Sequence, residues 1–143
     1  MNAALYTGLA AALLALLPLL FLDRMSGWSR LAEAYQAEGP FIGHIYKWNS
    51  ARLNWISYNN CLDLGVSDEG FFMRVMVPFG FWSRPLLLPW SEISLSQQSG
   101  FFADVVTFEM RQVPNLKLRF LKKQILKIAS QHPEAALFKD LKA

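Results

Sequence analysis

The first stretch of the chain constrains the fold most. From Ala3 to Leu22 the sequence reads AALYTGLAAALLALLPLLFL without a charge, and Asp23 and Arg24 then follow together. A helix of that length spans about 30 Å, which is the thickness of a bilayer's hydrocarbon. The run also lacks the polar stripe that a surface helix of a globular protein shows every few residues. The sequence therefore predicts a transmembrane anchor over residues 1–24.

A cleaved secretory signal peptide is the competing interpretation of the same run. Such a peptide has a basic start, an apolar stretch of about 7–15 residues and small residues at its cleavage site. Here Met1 and Asn2 carry no basic side chain, the apolar run is longer, and no A-x-A pattern follows it. An uncleaved anchor fits these features better.

Basic residues near the anchor predict its orientation. None precedes the run, and those that follow it are Arg24, Arg30, Lys47 and Arg52. Because cytoplasmic segments carry the excess of Lys and Arg, the positive-inside rule places the N-terminus outside and the remaining domain in the cytoplasm. The single cysteine, Cys61, fits a reducing compartment because it has no partner for an intramolecular disulfide.

Small residues recur inside the anchor at Ala4, Gly8 and Ala12. At that spacing they share one helix face and would let a second transmembrane helix approach closely. Alanine is also a common filler of such helices, so both interpretations stay open.

The residues after the anchor suffice for one compact domain. All the charged side chains follow the uncharged run that ends at Leu22, with 14 Lys and Arg against 11 Asp and Glu. A net charge of +3 is too small to indicate a nucleic-acid-binding surface, which needs a basic stripe. It is compatible with a position near an anionic lipid surface.

The spacing of apolar residues changes after the anchor. Residues 25–40 predict a short juxtamembrane helix, with Trp28, Leu31 and Tyr35 on one face. From Gly43 onward the helical period gives way to alternation of apolar and polar residues. This shift sets the boundary of a β domain over residues 41–143.

About seven or eight short strands separated by turns fit this alternation. The first turn is expected at Asn49-Ser50, and the clearest hairpin has its turn at residues 67–70. Helical spacing returns at residues 121–131. Since no helix lies between consecutive strands, the pattern predicts an α+β fold with antiparallel strands and a covering C-terminal helix.

Two segments of the β domain resemble a known family. They are the strand-turn-strand from Leu64 to Met73 and the stretch Pro-Leu-Leu-Leu-Pro-Trp-Ser-Glu-Ile from Pro85 to Ile93. They look like a bacterial PH-like or GRAM-like domain, and the whole chain is similar to small bacterial membrane proteins that join one span to such a domain. The resemblance implies a PH-like antiparallel barrel or sandwich closed by the C-terminal helix, at a bacterial inner membrane. It does not imply phosphoinositide binding, because the candidate loop at residues 67–70 is acidic.

No residue pattern indicates catalysis or a metal site. His44 and His132 are the only histidines, lie 88 positions apart, and have no Cys, Asp or Glu at ligand spacing. The chain contains neither G-x-S-x-G nor a glycine-rich phosphate loop. The sequence therefore predicts a protein that is not an enzyme and holds no cofactor or metal.

Aromatic side chains concentrate in two turn-rich segments. The first holds Phe79, Phe81 and Trp82, and the second holds Phe101 and Phe102. Aromatic rings at loop tips need a cover against water. The domain's own core, the adjacent bilayer and a partner protein are the three possible covers.

These features predict a non-enzymatic, membrane-anchored interaction module that presents its domain to a membrane protein complex. Its contacts would be the three small residues of the anchor and the five loop aromatics. The expected partners are membrane lipid and an integral membrane protein, and not nucleic acid. The alternatives are a permanent accessory subunit of a larger membrane assembly and a domain that senses the lipid surface.

Overall fold

The computed structural model describes residues 3–76, 83–100 and 103–132, and for residues 15–26 it describes the backbone alone. This part of the chain is α+β. The helices are α1 (Ala3–Ser26), α2 (Trp28–Tyr35) and α3 (Lys122–Ser130). The strands are β1 (His44–Leu53), β2 (Ile56–Val66), β3 (Gly70–Val75), β4 (Leu86–Pro89), β5 (Ile93–Ser99), β6 (Asp104–Met110) and β7 (Val113–Leu121).

The seven strands form one antiparallel sheet in the order β4-β3-β2-β1-β7-β6-β5. The two edge strands, β4 and β5, follow each other in the chain and are joined by a single 3-10 turn, Trp90–Glu92. Three residues reach about 10 Å at most, so the sheet curls until its edges approach at this corner. In the described residues β4 and β5 do not pair, so the sheet is open. The predicted closed PH-like barrel or sandwich is therefore wrong.

The hairpin of β2 and β3 forms where the alternation predicts it, with Val66 opposite Phe71. The turn expected at Asn49-Ser50 does not form, because β1 continues through both residues and turns at Asn54 instead. Asn54 adopts a φ of 54°, a left-handed conformation that asparagine tolerates better than most residues.

The centre of the sheet is a narrow join between β1 and β7. Only two residue pairs connect these strands, Arg52 with Arg119 and Leu53 with Leu118. At Ser50 on β1, the side-chain amide of Gln124 on α3 makes the backbone hydrogen bonds that a neighbouring strand would otherwise make. Its Oε1 accepts a hydrogen bond from the Ser50 N–H at 3.0 Å, and its Nε2 donates to the Ser50 carbonyl at 2.9 Å.

The concave side of the sheet encloses the core. Phe71, Phe108 and Phe120 form its centre, with ring centroids between 5.0 and 5.6 Å apart. The residues predicted to share one helix face are on α2 and are all buried in this core: Trp28, Leu31 and Tyr35. Helix α2 is therefore held by the same apolar core as the sheet, and α3 adds Ile125 and Ile128 to it.

No helix in the described part of the chain has both the length and the apolarity needed to cross a bilayer. The predicted transmembrane anchor over residues 1–24 and the single-pass inner-membrane topology built on it, with the N-terminus outside, are therefore wrong.

Candidate functional site

The first half of α1, residues 3–14, is exposed along its whole length. We call these residues the apolar arm. Its large side chains are between 53% and 68% exposed: Leu5, Tyr6, Leu9, Leu13 and Leu14. The Thr7 hydroxyl donates a hydrogen bond to the Ala3 carbonyl oxygen at 2.7 Å, so this polar group is satisfied within the helix. The arm thus presents apolar surface with little polar interruption.

The leucines and the small residues of the arm lie on neighbouring faces of the helix. Leu5, Leu9 and Leu13 recur every four residues and form one ridge along the helix. The predicted contact residues Ala4, Gly8 and Ala12 form the adjacent face, and all three are exposed. A Cβ added at Gly8 would meet nothing within 4 Å, so this face is open to an approaching surface.

The other predicted contact residues lie outside the described part of the chain. They are Phe79, Phe81, Trp82, Phe101 and Phe102. The proposed role of these loop aromatics stays a prediction.

A cleft of about 530 Å³ opens between the segment at residues 37–43 and the turn that joins β2 to β3. Its floor includes Phe41 and Phe72, whose rings stack with centroids 4.5 Å apart and planes 15° apart. Phe41 reaches this position because it lies over Gly65, near the end of β2. A Cβ at Gly65 would come within 2.6 Å of Phe41 Cε1, so the stack requires glycine there.

Three exposed carboxylate residues are among those that line the cleft: Glu38, Asp68 and Glu69. The turn that carries two of them is fixed by hydrogen bonds. The Ser67 N–H donates to the Gly70 carbonyl at 3.0 Å, and the Glu69 N–H donates to the Ser67 hydroxyl oxygen at 3.2 Å. The Trp90 indole N–H donates to the Ser67 carbonyl at 2.9 Å. The acidic loop, expected to repel phosphates, is thus a defined wall of the cleft.

Both histidines line this cleft, although 88 positions separate them in the sequence. Tyr46 connects them. Its hydroxyl donates to Gln131 Oε1 at 2.6 Å and lies 3.0 Å from His132 Nε2, and its ring centroid is 4.5 Å from that of His44. Sequence reasoning missed this pairing because it arises from β1 meeting the end of α3, which no local pattern indicates.

Two other reactive groups in the described residues, Cys61 and Asp63, lie on β2 and do not line the cleft. Burial raises the pKa of the Cys61 thiol, which disfavours the nucleophilic thiolate. Asp63 on β2 is buried and accepts hydrogen bonds from Arg74 Nη2 at 2.7 Å and Nε at 3.1 Å, across the β2–β3 pair. Among the described residues no group of three or more His, Cys, Asp or Glu side chains could hold a metal ion.

Compared with protein-family models, with curated proteins and with solved structures, the chain shows no match in any of the three. The sheet is open, and the described residues include no helix that could cross a bilayer. The expected membership among bacterial PH-like or GRAM-like membrane proteins is therefore overturned, and the site has to be interpreted from its own geometry.

Proposed function

We propose that this protein is a non-enzymatic interaction module that binds a partner protein through the apolar arm. The observation that carries the proposal is that the arm's four leucines and Tyr6 are exposed, whereas most large apolar side chains of α2 and the sheet are buried. Contiguous exposed apolar surface of this kind marks an interaction site.

The physical reason is that the arm gains stability only when something covers it. An isolated helix of this length is marginal in water, and its leucines contribute nothing to the core while they stay exposed. Full burial of one leucine contributes about 1.5–3 kcal/mol, against which stands the loss of rigid-body freedom on association. A hydrophobic groove that receives the Leu5, Leu9 and Leu13 ridge is the recurrent way to achieve this.

A permanent accessory subunit of a larger assembly is the second candidate. It is favoured by the exposed alanines and Gly8 beside the leucine ridge, because the arm is apolar on more than one side. Helices that are apolar all round are generally enclosed in the interior of a large protein. A one-sided groove would leave part of this surface uncovered.

The test begins with purification of the tagged full chain and identification of any protein that accompanies it in stoichiometric amount. The complex is then rebuilt from the two purified proteins, and amide hydrogen exchange is compared in the free and bound chain. We expect slower exchange within residues 3–14 in the complex. The variant with Leu5→Glu, Leu9→Glu and Leu13→Glu should lose binding, since glutamate preserves helix propensity but cannot be buried unpaired.

The matched control places three glutamates at exposed apolar positions elsewhere: Trp48, Trp55 and Leu121. This variant should bind as the wild type does. Protection confined to residues outside the arm would contradict the proposal. So would a chain that binds anionic liposomes and no protein, which would support lipid-surface sensing instead. Release of the partner by dilution indicates the module, and a complex that survives dilution indicates the permanent subunit.

A further inference from the structure

We propose that the cleft between residues 37–43 and the β2–β3 turn binds an organic cation, an ammonium or guanidinium group carried on an apolar body. The source of such a group is either a basic side chain of a peptide or a free amine. This proposal uses residues outside the apolar arm and stands independently of it.

The first argument is size and rigidity. A volume of about 530 Å³ lies in the range of small-ligand sites, about 300–1,000 Å³. One wall is the hydrogen-bonded acidic turn, and the opposite segment is attached to the sheet through the Ala37 N–H, which donates to the Pro85 carbonyl at 2.9 Å. Walls that are already ordered reduce the conformational entropy lost on binding.

The second argument is charge. Among the described residues, those that line the cleft include three carboxylates and no Lys or Arg, on a protein whose net charge is +3. The cleft is therefore a region of opposite sign to the molecule as a whole. Carboxylates gathered in a concavity raise the local concentration of cations and disfavour anions.

The third argument is the aromatic floor. The Phe41–Phe72 stack is already in contact with one cation, because the Arg74 guanidinium carbon lies 5.6 Å from the Phe72 ring centroid. Both rings of the stack line the cleft, and Phe41 is the more exposed of the two. Aromatic faces attract ammonium and guanidinium groups, and the apolar body of the ligand would pack on Phe41 and Leu87.

The experiment titrates the full chain, labelled for amide NMR, with three probes. The peptide acetyl-Leu-Arg-Leu-amide represents a basic side chain, spermidine represents a free amine, and acetyl-Leu-Glu-Leu-amide is the anionic counterpart. We expect a cationic probe to shift the amide signals of Glu38, Phe41 and Glu69. The anionic peptide should leave them unchanged. Whichever cationic probe binds more tightly identifies the source.

The decisive variant is E38Q/D68N/E69Q, which removes the three carboxylates and should weaken binding about tenfold, as three partly exposed charge pairs would. Its matched control is E33Q/D104N/E109Q, which changes the net charge equally at positions outside the cleft lining. The control should bind as the wild type does. Raising the salt from about 50 mM to about 500 mM should weaken wild-type binding several-fold.

Three results would overturn the proposal. They are the absence of shifts with both cationic probes, equal binding of the anionic peptide, and unchanged affinity in E38Q/D68N/E69Q. If that variant does not fold, the salt titration of the wild type decides, and salt-independent binding overturns the proposal. None of these outcomes bears on the apolar arm.

Discussion

Gly27 lies against the side chain of Leu116 so closely that a Cβ there would come within 2.4 Å of Leu116 Cδ2. Gly27 also has a φ of 93°, and it is the residue between α1 and α2. Leu116 is buried and cannot easily move aside. The direction in which α1 leaves the core therefore depends on glycine at this position.

Gly27→Ala should destabilise the fold by about 2–3 kcal/mol, because a left-handed backbone and a steric clash act together. Gly39→Ala is the matched control: Gly39 has a φ of 84°, but a Cβ there meets nothing within 4 Å. It should cost about 1 kcal/mol from the backbone alone. Urea unfolding monitored by tryptophan fluorescence measures both. Equal costs would show that the Leu116 contact is unimportant.

Gly65→Ala should displace Phe41 from the cleft floor and destabilise the fold by about 1–3 kcal/mol, the usual range for overpacking. In a chain that already carries Phe41→Ala, the same substitution should cost much less, because the clashing ring is gone. A double-mutant cycle from urea midpoints gives this coupling energy. Additive effects of the two substitutions would contradict the contact.

Arg74→Gln should cost about 2 kcal/mol, because it leaves the buried Asp63 carboxylate without its partner. The value is below that of a fully buried pair since the Arg74 side chain is 39% exposed. The control is Arg111→Gln, whose partner Glu92 lies 3.9 Å away and whose side chain is 81% exposed. That change should cost less than about 0.5 kcal/mol. Adding Asp63→Asn to Arg74→Gln should recover part of the lost stability, because it removes the unpaired carboxylate. If the double variant is less stable than Arg74→Gln alone, the unpaired Asp63 charge is not the cause of the loss.

Burial raises the pKa of the Cys61 thiol above its ordinary value of 9.0, so the folded chain holds this proton more tightly than the unfolded chain does. The associated stability is fully present below pH 9.0 and is lost as the pH rises through the folded-state pKa. Alkylation by iodoacetamide should therefore be slower in the folded than in the urea-unfolded protein at mildly alkaline pH. Cys61→Ala should lose this part of the pH dependence of stability. If the pH dependence is unchanged in this variant, other groups cause it.

Local patterns in the sequence predicted the antiparallel β2–β3 hairpin and the helices that correspond to α2 and α3. They failed where the backbone departs from its usual conformations. Trp48 and Asn60 have positive φ angles, and the β1–β2 pairing shifts register near each of them. No glycine marks either position, so the strand appeared to end at Asn49-Ser50.

The candidate sites depended on longer-range relationships. Alternation could not distinguish a closed barrel from a sheet whose edges approach only at Trp90–Glu92. The uncharged run of α1 indicated an apolar surface, but the transmembrane anchor predicted from it was wrong. The cleft was missed, because it forms where residues 37–43 approach the β2–β3 turn and the end of α3 adds His132. In the sequence alone, each wall of the cleft looks like an ordinary turn.

The narrow join between β1 and β7 has a consequence for the order of assembly. Arg52 and Arg119 meet across 67 positions of chain, whereas the hairpins on either side close over a few residues. Loop-closure entropy delays such distant encounters, so the meanders β1–β4 and β5–β7 are expected to form before they meet. We expect the hydrogen bonds between the Gln124 amide and Ser50 to form last. The 3-10 turn Trp90–Glu92 would then be the hinge between the two halves of the sheet.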